Sequence, residues 1–367
     1  MRIIQITTVH KPFDNRIYHK ECVSLFKAGH KVSLMACKTV DIPFDLDVDI
    51  IELPKYLNRK KHFLFTSVLG VIRKARELKA DVYHIHDPEL LIAGLYLRLL
   101  GYIVIYDTHE NNPASILSKP YLSGKFKRNF ISILFDKFEL FAASKMSAIV
   151  TATDDIAVRF KKFKPTVIRN FPIAPDFSTI TTPEKKKTKD VVIFVGGMTR
   201  IRGIKELITA FNDLDNVELW LLGGFESEEF ENECKLIPGW KNVDYLGSVP
   251  PTEIYGYIKM ADVGVVTYLP YPNHVTALPT KAFEYMAGGI PMLMSNFDYW
   301  KELFGDIAHF ADPAKPQEIA AVIREMLLDK IKLEAIHKRS LELIENEFSW
   351  QIEEERLLGL YDRFDVK

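Results

Sequence analysis

The chain alternates short apolar runs with amphipathic helical stretches, and it does so twice. In the first half "IIQITT" (3–8) reads as a strand, 16–28 as a helix closed by Gly29, and "KVSLMA" (31–36) as a strand. A helix near 64–79 precedes the strand "DVYHIH" (81–86), and "LLIAGLYLRLL" is a helix ended by Gly101. "YIVIYDTH" (102–109), a helix over 125–145, "AIVTAT" (148–153) and "TVIRN" (166–170) follow. This βαβα order requires a parallel sheet covered by helices on both faces.

"PIAPDFSTITTPEKKKTKD" then interrupts the pattern with Pro, Thr and Lys and no periodicity, as a linker does. The alternation restarts with "VVIFVGG" (191–197), a helix over 203–213, "VELWLLGG" (217–224) and "VDYLG" (243–247). A helix over 251–260, "VGVVTYL" (263–269), a helix opened by Pro279 and "IPMLMS" complete it. The expectation is an α/β chain of two Rossmann-like domains: 1–172, and 188–345 after a linker at 173–187. The C-terminal stretch 348–367 is expected to cross back onto the first domain. It is an amphipathic helix, with Trp350, Ile352, Leu357, Leu358 and Tyr361 on one face.

A length of 367 residues suits two cores rather than one. The net charge of −1 suggests no nucleic-acid partner, but it is unevenly spread. Residues 1–170 hold 27 Lys and Arg against 17 Asp and Glu, so the first half is the one expected to face something anionic. Cys22, Cys37 and Cys234 are odd in number and widely spaced, which fits neither a disulfide framework nor a zinc knuckle. The N-terminal apolar run is too short for a signal peptide. The run around "FISILFDKF" is broken by charges and cannot span a bilayer. A soluble, cytoplasmic protein is expected, touching the inner face of the membrane. Lys125, Lys127 and Arg128 open the helix at 125 as an exposed basic cluster, while Phe130, Ile133, Leu134 and Phe138 read mainly as core.

In open parallel sheets ligands bind beyond the carboxyl ends of the strands. This rule selects His10, Asp14 and Arg16 after the first strand, His84, His86, Asp87 and Glu89 after the third, and Asp107, His109 and Glu110 after the fourth. In the second half it selects "GGMTRIRG". Gly196 and Gly197 admit a ligand close to the backbone, and Arg200 and Arg202 sit before a helix N-terminus, where an anion is favoured. It also selects "HVTALPTKAFEYM". There Thr276 to Lys281 lead into a helix and Glu284 follows one turn later. A carboxylate takes two parallel hydrogen bonds and so suits a vicinal diol such as that of ribose. A salt bridge to a neighbouring base is the alternative role for Glu284. Asp87 and Asp107 read either as acceptor bases or as groups that cap a helix or hold a histidine. "DLDVD" (45–49) contains Asp-x-Asp, but it falls in an acidic loop after only the second strand, and no metal site is assigned to it. His30 reads as a turn residue.

The order "VGGMTRIRGI…LGSVPPTEI…ADVGVVTY…PTKAFEYMAGGIPML", with "HKPFDNRIYHKECVSLFKAGHKV" and "HIHDPELL…VIYDTHE" before it, resembles the GT-B-fold glycosyltransferases of family 4 along essentially the whole chain. The resemblance implies two Rossmann-like domains facing across a cleft. It implies retaining, metal-independent transfer of a sugar from a nucleotide-diphosphate sugar, a UDP-sugar first, to a lipid-linked or polysaccharide acceptor of bacterial surface-glycan synthesis. No cofactor is implied. Arg202 matches a diphosphate-binding lysine, Lys281 assists it, and Glu284 matches the second Glu of an E-x₇-E motif, which holds the ribose. Gly247, Val249 and Pro250 are implied beside the base, and Leu278, Pro279 and Thr280 beside the donor. His109, with Asp87, is implied at the reacting centre, and His10, Asp14, Arg16, His86 and Asp107 on the acceptor side. Three departures stand out. Thr276 replaces the first Glu, leaving His274 or Thr276 to meet the sugar. Asp14-Asn15 replaces Gly-Gly, and Gly197 falls where a phosphate Arg is usual, with Arg200 as the compensating group. Two other functions share the layout: a nucleotide-sugar 2-epimerase, which needs no acceptor, and a non-enzymatic nucleotide-sugar binder.

Overall fold

The computed structural model describes residues 1–37, 46–118, 125–173, 180–275 and 277–365. Thr276 lies outside the described residues, as does Asp45 of the Asp-x-Asp stretch. The chain forms two compact units, Met1–Asn170 with Trp350–Lys367, and Phe171–Ser349.

The first unit holds β1 (Arg2–Ile6), β2 (Lys31–Cys37), β3 (Asp49–Leu53), β4 (Val82–Ile85), β5 (Ile103–Thr108), β6 (Ala148–Thr151) and β7 (Thr166–Val167). They form one parallel sheet in the order β3-β2-β1-β4-β5-β6-β7. The order reverses at β1 and β4, so the loops leaving those strands open at a topological switch point. One face is covered by the helices Leu69–Leu78, Leu91–Leu99 and Lys125–Ala143, around Tyr83, Tyr106, Val104 and Leu97. The other is covered by the segment 17–27 and by the C-terminal helix Trp350–Asp362, around Leu25, Ile105 and Trp350.

The second unit holds β8 (Asp190–Val195), β9 (Val217–Leu222), β10 (Val243–Gly247), β11 (Val263–Val266), β12 (Met292–Ser295) and β13 (Ala308–Ala311). Its parallel order is β10-β9-β8-β11-β12-β13, again reversing at the first strand of the unit. Side chains alternate between two cores: Val191, Ile193 and Val195 point to the layer of Phe283 and Trp300, and Val192 and Phe194 to that of Ile208 and Phe211. Strand periodicity of two produces this division. Tyr285 packs where Gly264 has no side chain; a Cβ there would sit 2.5 Å from the ring.

The segment read as a linker at 173–187 forms no helix or strand in its described part and is held to the second unit. Lys185 pairs with Asp244 and lies over Trp220, and Lys187 pairs with Asp262 at 2.7 Å. Two expectations differ from the structure. The C-terminal helix buries Trp350, Glu353, Leu357, Leu360 and Tyr361, and Leu358 packs half-buried against the same core, but Ile352 is not part of that face. The polar Glu353 is inward because Arg169 gives it a backbone N–H at 3.0 Å and a guanidinium N–H at 3.3 Å. Finally, Phe130, Ile133 and Leu134 are not core but exposed, and of the four only Phe138 packs inward. The inner side of that helix is occupied by Ser132 and Glu139, whose carboxylate accepts from Tyr106, Asn112 and Arg159.

Candidate functional site

In the second unit, the carboxyl end of β8 runs into Gly196 and Gly197, a short 3₁₀ turn at Arg200–Arg202 and the helix Ile204–Ala210. Gly203 has φ +70°, and a Cβ there would lie 2.1 Å from the Thr267 carbonyl, so only glycine lets this turn close on the end of β11. The turn aims Arg202 back over the glycines. Its Nη1 donates to the Gly197 carbonyl at 3.0 Å, and its guanidinium lies over Tyr268, 5.4 Å from the ring centre. A Cβ on Gly196 would meet Arg202 Nη1 at 3.0 Å and Lys281 Cε at 4.0 Å. Two cations therefore converge above a backbone stripped of side chains.

The helix Thr280–Ala287 supplies Lys281 and, one turn later, Glu284. Lys281 Nζ donates to both Glu284 oxygens, at 2.8 and 2.6 Å. The preceding segment is fixed by Trp300, whose indole N–H donates to the Ala277 carbonyl at 2.8 Å. Leu278 packs on the core, and Pro279 and Thr280 begin the helix. The helix ends at Gly289, with φ +67°. His274 donates through Nδ1 to the Leu269 carbonyl at 3.0 Å, and its ring lies tilted against Tyr268, the centres 5.0 Å apart. Burial holds its pKa below the ordinary value, and the Arg202 charge adds to this. Gly247, with φ +67° and open space around its Cβ position, precedes Val249 and Pro250 at the end of β10.

Arg200 is placed apart from this group. It makes a two-pronged pair with Glu233, at 2.8 and 2.6 Å, and covers Phe230. It braces the helix Glu228–Lys235 and does not compensate for Gly197. Sequence reasoning passed over Tyr268 and Tyr255. Burial raises the Tyr268 pKa, with Arg202 opposing; burial also raises Tyr255, aided by the Glu284 charge. Both rings therefore stand near the cationic and acidic side chains. An aromatic at the end of a strand, inside "VTYLPYP", was the available signal for Tyr268.

In the first unit, the carboxyl ends of β1, β4 and β5 bring His10, Asp87, His86, Asp107 and His109 together. Asp87 is buried and accepts from Thr8 N at 2.5 Å, Thr7 Oγ1 at 3.0 Å and Val9 N at 3.2 Å. It shapes the loop after β1, and His10 Nε2 lies 3.6 Å from its other oxygen. His10 also pairs with Asp14 at 3.5 Å, and that hydrogen bond raises its pKa above the ordinary value. Burial works against the Asp14 charge, but His10 and the amides of Ile17 and Arg16 outweigh it and hold the carboxyl below its ordinary range.

Arg16 is not on the surface. It is buried, with Nη2 2.8 Å from Asp107 and Nε 2.9 Å from Glu21, and Nη1 donates to the Ile168 carbonyl at 2.7 Å. The expected acceptor contact is thus replaced by a charge-compensating one. Burial opposes the Asp107 charge, but Arg16 and His109 outweigh it and hold its pKa well down. Burial pushes Glu21 up despite Arg16. His86 donates through Nε2 to Gln5 Oε1, which leaves Nδ1 to accept from His109 Nε2–H at 3.2 Å. Burial lowers the pKa of His86 to about 4, so it is neutral. His84 stacks on His86 at 4.7 Å and meets the Tyr361 hydroxyl at 2.8 Å, which ties the C-terminal helix to the row of histidines.

Glu21, His84, His86 and Asp107 bring donor atoms within 4.8 Å of one another, a group with metal-ligand chemistry. The Arg16 guanidinium already touches both carboxylates, so positive charge is supplied by the chain itself and a cation there would be repelled. Asp47 and Asp49 are exposed at the amino end of the edge strand β3, away from the strand ends that carry these groups.

A family model described as Glycosyltransferase Family 4 matches residues 6–171, and one described as Glycosyl transferases group 1 matches residues 178–343. Spore coat protein SA of Bacillus subtilis (strain 168) is 27% identical over 191 residues, 48% of this chain and 49% of that protein. Lipopolysaccharide core biosynthesis glycosyltransferase LpsD of Rhizobium meliloti (strain 1021) is 25% identical over 229 residues, 60% of this chain and 65% of that one. The matches thus span between half and two-thirds of these relatives. The fold is similar to that of Anabaena Alr3699/HepE in complex with UDP, with a TM-score of 0.71 and 14% identity over 99% of this chain and 100% of that one.

Proposed function

The chain belongs to the group 1, family 4 glycosyltransferases, and we propose that it moves a sugar from a nucleotide-diphosphate sugar to a hydroxyl of a lipid-linked or polysaccharide acceptor. The observation that carries this is the convergence of Arg202 and Lys281 over Gly196, with Glu284 one turn beyond. A diphosphate needs two cations and an open backbone, and a ribose diol needs a carboxylate at about that remove. The UDP bound by the Anabaena protein supports a uridine donor, and the lipopolysaccharide-core relative supports a surface-glycan acceptor.

On this reading Arg202 and Lys281 neutralise the charge that grows on the diphosphate as the glycosidic bond breaks. Transfer proceeds with retention and needs no metal. The acceptor hydroxyl attacks from the face the diphosphate leaves, and the departing phosphate oxygen takes its proton. His109, held by His86 and Asp107, presents a fixed imidazole to the acceptor. Asp87 acts by shaping the His10 loop, and His10 and Asp14 contact the acceptor. His274 meets the donor sugar. The enzyme works at the inner face of the membrane.

The experiment is a thermal-shift screen of UDP, GDP, ADP, dTDP and their common sugars without added metal. A ligand that binds only the folded state raises the melting temperature. A shift selective for one base identifies the donor. No shift with any nucleotide overturns the site built on Arg202, Lys281 and Glu284.

A further inference from the structure

Behind His109 lies a carboxyl group that the transfer reading does not use. Glu21 sits on the π-helical segment Ile17–Cys22 and is fully buried. Neither of its oxygens accepts a hydrogen bond from a donor among the described residues. Its nearest cation is Arg16, with Nε 2.9 Å from Oε1. That Nε–H is directed at Asp107 Oδ2 instead, as is an Nη2–H, and Nη1 donates to the Ile168 carbonyl. His84 Nδ1 and His86 Nε2 stand 3.9 and 4.0 Å from Oε2, too far to donate, and are committed to Tyr361 and Gln5.

Asp107 is placed the opposite way. Its Oδ2 accepts twice from Arg16 and lies 3.2 Å from His109 Nε2, while its Oδ1 is buried with no donor. Glu21 and Asp107 come within hydrogen-bonding reach of each other. Two carboxylates have only acceptors to offer, so this contact needs a proton on one of them. Asp107 already has donors that stabilise its charge. Glu21 has none, and a buried charge without a donor is costly.

The charges close on the same answer. Arg16 offsets Asp107, and burial keeps His84 and His86 neutral. Asp14 of the loop after β1 and Tyr361 of the C-terminal helix also face Glu21, and neither brings a positive charge. An ionised Glu21 would be a second anion against one cation.

We infer that Glu21 is a neutral carboxylic acid whose O–H donates to Asp107, a positioning residue that keeps a single negative charge behind His109. With one anion there, His109 gives its Nε2–H to Asp107 and His86. Its Nδ1, which meets no partner among the described residues, then keeps a lone pair for an acceptor hydroxyl. A second anion would favour the imidazolium, in which both nitrogens donate and the lone pair is gone. The inference rests on the transfer reading, in which His109 meets the acceptor. It is tested without donor or acceptor, so its failure and that of the transfer reading are separable.

The experiment compares the full chain with Glu21→Gln by infrared difference spectroscopy and by nitrogen-15 NMR of the histidines, from pH 6 to 8. The native chain should show a protonated-carboxyl carbonyl band that shifts in D2O, and Glu21→Gln should lack it. Gln supplies an N–H where the acid supplies an O–H. The variant should therefore keep the native melting temperature and the Nε2–H form of His109. Glu21→Leu supplies no donor to Asp107 and should melt about 2–4 °C lower or more. Absence of the band, or the same band in Glu21→Gln, overturns the inference. So does a native His109 imidazolium that Glu21→Gln converts to the neutral ring, or a Glu21→Gln chain that melts as low as Glu21→Leu.

Discussion

Lys281 Nζ sits between the two carboxylate oxygens of Glu284, 2.8 and 2.6 Å away, one turn along the same helix. Each group satisfies the other. Lys281 keeps a third N–H for a phosphate and Glu284 keeps free lone pairs for a ribose, so each role is tested by substituting that residue.

Glu284→Ala should weaken donor affinity by about ten- to a hundredfold, because a bidentate charged hydrogen-bond acceptor is removed. The side chain is partly exposed, so the melting temperature should move little. Isothermal titration with the nucleotide sugar checks this. Unchanged affinity in the folded variant rules out the ribose contact.

Arg202→Ala should lower kcat about a hundredfold or more, the scale seen when one donor to developing negative charge is lost. Affinity for the free nucleoside should stay within a few-fold, since the guanidinium meets phosphate and not base. The comparison needs steady-state kinetics and nucleoside binding on one preparation. A variant that loses nucleoside affinity and retains kcat contradicts the assignment.

Arg16→Met leaves Asp107 and Glu21 buried without their cation. Breaking a buried pair from one side costs about 3–5 kcal/mol, so urea unfolding should show a loss of that size. A loss below about 1 kcal/mol, with acceptor KM raised instead, would return Arg16 to the acceptor contact that its sequence position suggested.

The His10–Asp14 pair makes the first-unit loop pH-sensitive. His10 is raised above its ordinary 6.5, so its contribution is complete below that value and fades as pH rises through the folded pKa. Asp14 is lowered from 3.8, so its contribution is complete above that value and fades as pH falls through its folded pKa. The ion pair is whole between these limits. Asp14→Asn should bring the His10 pKa down, and histidine NMR across pH 5–9 reads the shift directly. An unmoved His10 pKa excludes the pairing.

The C-terminal helix belongs to the first unit through Trp350, whose indole N–H reaches Ser24 Oγ at 2.9 Å, and Tyr361, which meets His84. Trp350→Ala removes a buried ring and should cost about 3–5 kcal/mol. Tyr361→Phe removes only the hydroxyl and should cost about 1 kcal/mol. Denaturant melts of both variants check the order. Equal costs would mean that the ring of Trp350 packs loosely.

The order of apolar runs and helical stretches determined the parallel sheets, because period-two burial and helical amphipathicity are written residue by residue. The strand ends followed from that order. Gly196, Arg202, Lys281, Glu284, His86, Asp87, Asp107 and His109 could therefore be picked out before any contact was known. Only the tertiary structure decided which of them face inward. Arg16 and Arg200 are alike in sequence, yet one is buried between two carboxylates and the other is pinned outward by Glu233. Tyr268 joins the site through a ring contact across strands, and no spacing encodes that. The helix Lys125–Ala143 makes the same point. Its composition fits a core helix, but the partners of Glu139 lie inside, so Ser132 and Glu139 turn in beside Phe138 while Phe126, Phe130 and Phe141 turn out. Pairing of charges depends on what other segments bring, and a single stretch of sequence does not contain it.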